Sequence, residues 1–405
     1  MSSSPLCRTQ KQATTSLCMQ VSLSRSSTNR TPERPSNSSK NLPMHEDFRD
    51  RRIAERLLAI IEGHPPKELR IMEVCGTHTM AISQYGIRQA VPDWLRFLSG
   101  PGCPVCVTPT RMVDCAIEMS RREDAIVLTF GDMMRVPGTE SNLERERARG
   151  SDIHVVYSPF DGLQMAKRLK DKLIVFMGVG FETTSPTFAA TVKKAHEDGI
   201  ENFSVIPCFK LIPPAIKAIL SAGEVRVDGF MLPGHVSAII GSEDYRFVPE
   251  EYGIPCVIAG FEPVDILHAV LLILKQIDSR PRVEIGYSRS VRPEGNRVAQ
   301  ALLWEVFSPC ATEWRGLGVI DESGLRFSRE YEQFDATRRL EVELPESKDP
   351  EECICGAILK GSRLPEECPL FGTRCTPSNP VGPCMVSSEG TCAAYYKYDW
   401  KRLRG

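Results

Sequence analysis

The sequence predicts an α/β protein built on parallel sheets, and three observations point there. Short apolar runs alternate with helical patterns from Asp47 to about Phe307, the rhythm of right-handed βαβ units. The runs are continuously apolar rather than alternating, as strands covered on both faces are. At 405 residues, and with roughly 100–200 residues per domain, two such domains suit the chain better than one.

Residues 1–43 read as a disordered extension. Ser and Thr hold 16 of these positions, Arg and Lys six, and Glu33 is the sole acid, so there is too little apolar surface to offset chain entropy. The composition has the Ser-rich, basic, acid-poor character of an organellar transit peptide. The blander expectation is a natural start at Met44, just ahead of a helical pattern over Phe48–Glu62. Strands are expected at 125–130 (AIVLTF), 172–177 (KLIVFM), 203–208 (FSVIPC), 227–232 (VDGFML) and 255–260 (PCVIAG). Helices are expected at Pro186–Glu197, Pro213–Ala222 and Pro263–Ile277. The expected division is a first α/β domain over 44–165, a second over 166–290 and a C-terminal unit over 291–405.

Hydrophobic residues make up 41% and charged residues 25%, the balance of an ordinary soluble globular chain. With a net charge of −2, nothing suggests non-specific attraction to nucleic acid or an anionic membrane. The best apolar run, around Val264–Leu274, is broken by Asp265 and His268, so no transmembrane span is expected.

In open α/β sheets ligands bind beyond the carboxyl ends of strands. Those ends here carry Gly180-Phe181-Glu182, Pro233-Gly234-His235 and Gly260-Phe261-Glu262. Glycine there permits close backbone approach, and Thr183, Thr184 and Ser185 can cap the helix that follows. The segment MGVGFETTSP is neither a dinucleotide fingerprint nor a P-loop. Plain strand-to-helix turns are the competing reading.

Cysteine carries the chemistry. There are 15, and six of them (353, 355, 368, 375, 384 and 392) fall within 40 residues. Without a secretory signal, such a count points to metal or redox chemistry in a reducing compartment, the cytoplasm. Cys75-Gly76-Thr77-His78 joins a soft thiol to an imidazole; the pair can lower the thiol pKa or face one metal. A buried cysteine beside a capping His-Thr pair is the structural alternative. Gly100-Pro101-Gly102-Cys103-Pro104-Val105-Cys106 has the spacing of a reversible disulfide or half a metal site. With no second close pair nearby, redox use is favoured over zinc. The Pro- and Gly-rich C-terminal stretch needs a metal staple, a Cys₄ zinc knot or an iron–sulfur cluster. It has no CxxC pairs, which favours the cluster.

With these stretches in view, the sequence resembles the HypD family of hydrogenase maturation factors. The likeness rests on CGTHTMAISQYGIR (75–88), GPGCPVC (100–106), GVGFETTSP (178–186), LPGHVSAIIG (232–241), AGFEPVDIL (259–267), WRGLG (314–318) and CPLFGTRCTP…GPCMVSSEGTCAAYY (368–396). The resemblance implies two Rossmann-like parallel-sheet domains and a small loop-rich unit holding a [4Fe–4S] cluster. By the family's spacing, C-x14-C-x6-C-x16-C, its ligands fall on Cys353, Cys368, Cys375 and Cys392. Cys355 and Cys384 are then spare thiols, either of which could replace a ligand.

The resemblance also implies assembly of the Fe(CN)₂CO group of nickel–iron hydrogenases, and so indirect service to the hydrogenase large subunit. Cys75 would share an iron with a small HypC-type chaperone, with His78 close by. A HypE-type partner would donate cyanide, and Cys103 and Cys106 would relay electrons. Glu182, Thr183, Thr184, His235 and Glu262 are expected to line a cleft by that iron. The readings that compete with this redox-active scaffold are a stand-alone thiol–disulfide oxidoreductase and an α/β body with a zinc-stapled tail.

Overall fold

The computed structural model describes residues 47–339 and 346–400. The expected extension over 1–43, with Cys7 and Cys18, lies outside them. The chain opens a first sheet with β1 (Leu69–Glu73) and β2 (Leu95–Ser99), then leaves it. It builds a second sheet from β3 (Ala125–Thr129), β4 (Ile153–Val155), β5 (Leu173–Gly180) and β6 (Phe203–Phe209). It returns to the first with β7 (Gly229–Pro233), β8 (Cys256–Ala259) and β9 (Val283–Ile285). The strand orders are β2-β1-β7-β8-β9 and β4-β3-β5-β6, and all neighbours are parallel.

Residues 166–290 therefore supply strands to both sheets, and the sheets do not follow a division at 165/166. The reason lies in β1. Its residues are almost wholly buried, and a buried strand must pair along both edges. β2 satisfies one edge, and β7 the other through Ile71↔Gly229, Met72↔Phe230 and Glu73↔Met231.

Both sheets are covered on both faces, with period-two side chains feeding separate cores. In the first sheet Ile71, Phe97, Met231 and Val257 share one core, and Met72, Phe230, Leu232 and Ile258 another. In the second, Ile126, Leu128, Ile174 and Phe176 oppose Val127, Val175 and Met177. Prolines open the crossover helices 185–197, 212–222 and 263–277, where their missing N–H is no loss. Beyond them comes an antiparallel hairpin, β10 (Phe307–Trp314) with β11 (Gly318–Phe327). Short helices and loops then carry the cysteine-rich segment.

Candidate functional site

The turn after β1 leads into helix α1 (Gly76–Gln84), with Cys75 at its N-cap. The turn after β2 leads into helix α2 (Pro104–Val107), with Cys103 at its N-cap. These two turns interlock. The Gly76 N–H donates to the Gly102 carbonyl at 2.8 Å, and a Cβ on Gly102 would fall 2.1 Å from the Cys75 nitrogen. A Cβ on Gly76 would stand 3.3 Å from that of Cys103. Only glycine lets the backbones approach this closely, and the approach brings Cys75 beside the Cys103/Cys106 pair.

From that pair a line of sulfurs runs into the C-terminal unit. The sulfurs of Cys103 and Cys106 lie 2.7 Å apart. The Cys106 thiol points to the Pro383 carbonyl at 4.0 Å and interacts with Cys384. Cys384 lies 2.7 Å from Cys355 and also interacts with Cys392. Cys355 in turn meets Cys353. The two cysteines that spacing leaves spare thus stand mid-way between the CxxC pair and the expected cluster ligands. No sequence spacing marks them as a pair; only the fold joins residues 29 apart.

Around Cys75, burial governs the electrostatics. The thiol is pushed up to about 12 by desolvation, with the Glu389 carboxylate adding to the effect and the His78 and Thr77 backbone N–H groups opposing it. The expected activation by the His78 imidazole is not what the fold builds. His78 turns its ring away, Nε2 lying 2.9 Å from the Gly260 carbonyl, and burial lowers it to about 4, so it is neutral. Burial thus keeps the Cys75 thiol protonated, while the neighbouring amide donors favour its thiolate.

The strand-end residues form two groups. His78, Phe261 and His235 come together, with Phe261 between ring centroids at 4.8 Å and 4.1 Å. Glu262 points elsewhere, forming an ion pair with Arg49 at 2.7 Å and accepting from the Tyr85 hydroxyl at 3.3 Å. Glu182 sits at the end of β5, where Oε1 accepts from the Ile212 N–H at 2.8 Å and caps helix 212–222. Its Oε2 is buried without a hydrogen-bond partner, and burial raises it to about 8. Thr183 and Thr184 make the turn into helix 185–197, with the Thr184 N–H donating to the Phe181 carbonyl at 2.9 Å.

A family model named HypD and described as "Hydrogenase formation hypA family" matches residues 51–399. The hydrogenase maturation factor HypD of Cupriavidus necator is 45% identical over 364 residues, spanning 87% of this chain and 96% of that protein. The chain belongs to the HypD family. The HypD of Azotobacter vinelandii is 44% identical over 367 residues (88% and 97%), and that of Escherichia coli 42% over 334 (82% and 90%). The work of this family member is hydrogenase maturation.

Four C-terminal cysteines are the candidates for the cluster that the resemblance implies. Cys368, Cys375 and Cys392 are buried and Cys353 half-buried, in one apolar group with Leu370 and Met385. The Val381 N–H donates to the Cys375 sulfur at 3.4 Å, as amides do around thiolate-ligated metals. A Cβ on Gly382 would fall 2.7 Å from the Cys353 sulfur. Among the described residues no three His, Cys, Asp or Glu side chains converge on a point that would hold a single metal ion. A four-iron cube makes no such demand, since each thiolate binds a separate iron.

Proposed function

We propose that this chain holds the iron of a nascent Fe(CN)₂CO group through Cys75, shared with a HypC-type chaperone, while a HypE-type partner delivers cyanide as a protein thiocyanate. The observation that carries the reading is the line of sulfurs that runs from Cys103 and Cys106, beside the Cys75 turn, through Cys384 and Cys355 into the C-terminal unit. A thiolate is an apt anchor for iron with strong-field ligands. Releasing cyanide from a thiocyanate takes two electrons, and a dithiol provides them. The thiocyanate and the two thiols of Cys103 and Cys106 become a protein thiol, a cyanide ion, a proton and the Cys103–Cys106 disulfide. Carbon–sulfur cleavage is the reduction, and the new sulfur–sulfur bond is the matching oxidation.

Restoring the dithiol is then the task of Cys384 and Cys355. Attack of the Cys384 thiolate on Cys106 passes the disulfide down the array by exchange, and Cys355 resolves it. Cys353, Cys368, Cys375 and Cys392 would hold a [4Fe–4S] cluster, which would pass two electrons, one at a time, from an external low-potential electron carrier to the Cys384–Cys355 disulfide, with two protons restoring both thiols. The thirteen described cysteines are free thiols, in keeping with work in the reducing cytoplasm. Among the described residues no helix is long and apolar enough to cross a membrane.

Anaerobic co-purification with the small chaperone, followed by infrared spectroscopy in the cyanide and carbonyl stretching region, tests the reading. Bands are expected in the parent complex and absent from Cys75→Ala, with the visible cluster absorption unchanged. Cys384→Ala should keep the cluster and leave Cys103 and Cys106 oxidised in thiol-alkylation assays. An active complex without such bands, or a chain that binds zinc and no iron, would sink the proposal.

A further inference from the structure

Ahead of the first helix, the short turn Asp47–Arg49 reaches the strand ends of the first sheet. Helix 51–62 starts on the Asp50 cap, whose carboxylate accepts from the Arg52 N–H at 2.7 Å, so Phe48 and Arg49 lie outside the helix. Both contact one place, the turn from β8 into helix 263–277. Arg49 donates to Glu262 twice, from Nε at 2.5 Å and from Nη2 at 2.7 Å. The Tyr85 hydroxyl donates to the same carboxylate at 3.3 Å. An exposed ion pair adds little by itself, but this one is bidentate and Glu262 is only 15% exposed.

Phe48 makes the second fastening. The centre of the Arg289 guanidinium lies 3.8 Å from the Phe48 ring centroid and 4.4 Å from that of Tyr287, within cation–π range of both. Arg289 also holds Asp265, from Nη1 at 2.7 Å and from Nη2 at 2.5 Å. Asp265 in turn accepts from the Glu262 N–H at 3.2 Å, which closes the circuit. Tyr287 packs on the glycines that follow β7 and β8: a Cβ on Gly234 or on Gly260 would fall 2.8 Å from its ring. It stands edge-on to Phe261 at 5.8 Å.

The residues after those two glycines are His235 and Phe261, stacked at 4.1 Å with 29° between their planes. Of the two imidazoles on Phe261, His78 is buried and turned to the Gly260 carbonyl, whereas His235 is exposed. His235 and Cys75 follow adjacent strands, since β7 pairs with β1. An exposed ring has several rotamers open to it, and stacking on a fixed aromatic face selects among them.

We infer that Phe48 and Arg49 are positioning residues for His235: the strap fixes the β8 turn, the turn fixes Phe261, and Phe261 sets the imidazole towards what is delivered to Cys75. The inference rests on the reading that iron is assembled at Cys75 and extends it to a segment more than twenty residues upstream by the chain numbering.

The test reads the ring protons of His235 by nuclear magnetic resonance on the full, histidine-labelled chain, the signal being identified by its loss in His235→Gln. Stacking on Phe261 displaces this signal upfield, and Phe261→Leu marks the unstacked position. The double variant Phe48→Ala, Arg49→Ala should move the signal most of the way to that mark. Arg51→Ala, which breaks the neighbouring exposed pair with Glu55, should leave it in place. In the anaerobic complex with the small chaperone, the infrared cyanide and carbonyl bands of the double variant should fall about tenfold, as misplacement of a group at a reacting centre costs. A His235 signal that stays put in the double variant overturns the inference. So does an equal displacement in Arg51→Ala, which would make the cause a general loosening of the first helix. A displaced signal with bands at full strength overturns it as well. A parent without bands would instead defeat the iron reading, with the His235 signal still deciding whether the strap positions the ring.

Discussion

At Cys75 burial outweighs every group that favours the thiolate, and the same desolvation acts on Glu182, whose raised pKa has a direct consequence for stability. Its folded-state value of about 8 lies above the usual 4.5, so the folded protein holds the proton more tightly than the unfolded chain does. The resulting stability is complete below pH 4.5 and is lost as the pH rises through 8. Glu182→Gln should therefore match the parent near pH 4.5 and exceed it by ~1–3 kcal/mol at pH 8, in denaturant melts across that range. The residual slope belongs to Glu73, raised to about 8 by burial. His78 runs in the opposite sense: lowered to about 4 from 6.5, it contributes stability above pH 6.5 that is lost as the pH falls towards 4. At this scale the sequence was legible wherever partners were near neighbours, as in CPVC. The spacing could not show that the His78 ring reaches the Gly260 carbonyl, because only the strand order brings the turn after β8 beside this helix.

Among the elements, the two interlocked strand-end turns place the candidate site, and glycine makes their approach possible. Gly102→Ala puts a methyl group against backbone atoms of Val74 and Cys75, which no rotamer change relieves. We expect at least ~2–3 kcal/mol of destabilisation, as for other overpacked buried positions. A conservative marker is the alkylation rate of Cys75, which should rise as the turns part. Strands β3, β5, β6, β7 and β8 and the helices over 51–62, 185–197, 212–222 and 263–277 were readable from continuous apolar runs between prolines and glycines. β1 and β2 were harder to see, because Arg70, Glu73 and Arg96 interrupt their apolar text; Glu73 is nevertheless buried in the site and Arg96 lies on an edge strand, exposed. The β10–β11 hairpin was hidden for a related reason. Pro309 and a two-sided polar pattern mark an exposed ribbon rather than a covered strand.

For the whole molecule, the cysteine unit is fastened to the α/β body at its far end as well as through sulfur. Asp399 accepts from the Ser83 hydroxyl at 2.7 Å and the Gln89 amide at 3.0 Å. The Arg88 guanidinium lies 3.8 Å from the same carboxylate and 4.7 Å over the Tyr395 ring. Ser83 is on the helix that Cys75 caps, so one short helix ties the Cys75 turn to the segment that carries Cys392. Asp399→Ala strands the buried Arg88 charge and should destabilise that junction by ~3–5 kcal/mol. Hydrogen exchange should show faster exchange over residues 391–399, with the central strands of both sheets unaffected.

The strand order also dictates a sequence of events during synthesis. β3 to β6 are consecutive in the chain, so the second sheet is complete once residue 209 has emerged. The first sheet must wait: β1 meets its inner neighbour only after β7 has been made, some 160 residues later by the chain numbering. Loop closure over that length is slow, and until it happens the buried face of β1 and the thiol of Cys75 stand exposed. The Cys75 turn is thus among the first described pieces translated and among the last to be enclosed, and the strands of the second sheet are the spacer that brings its partners back to it.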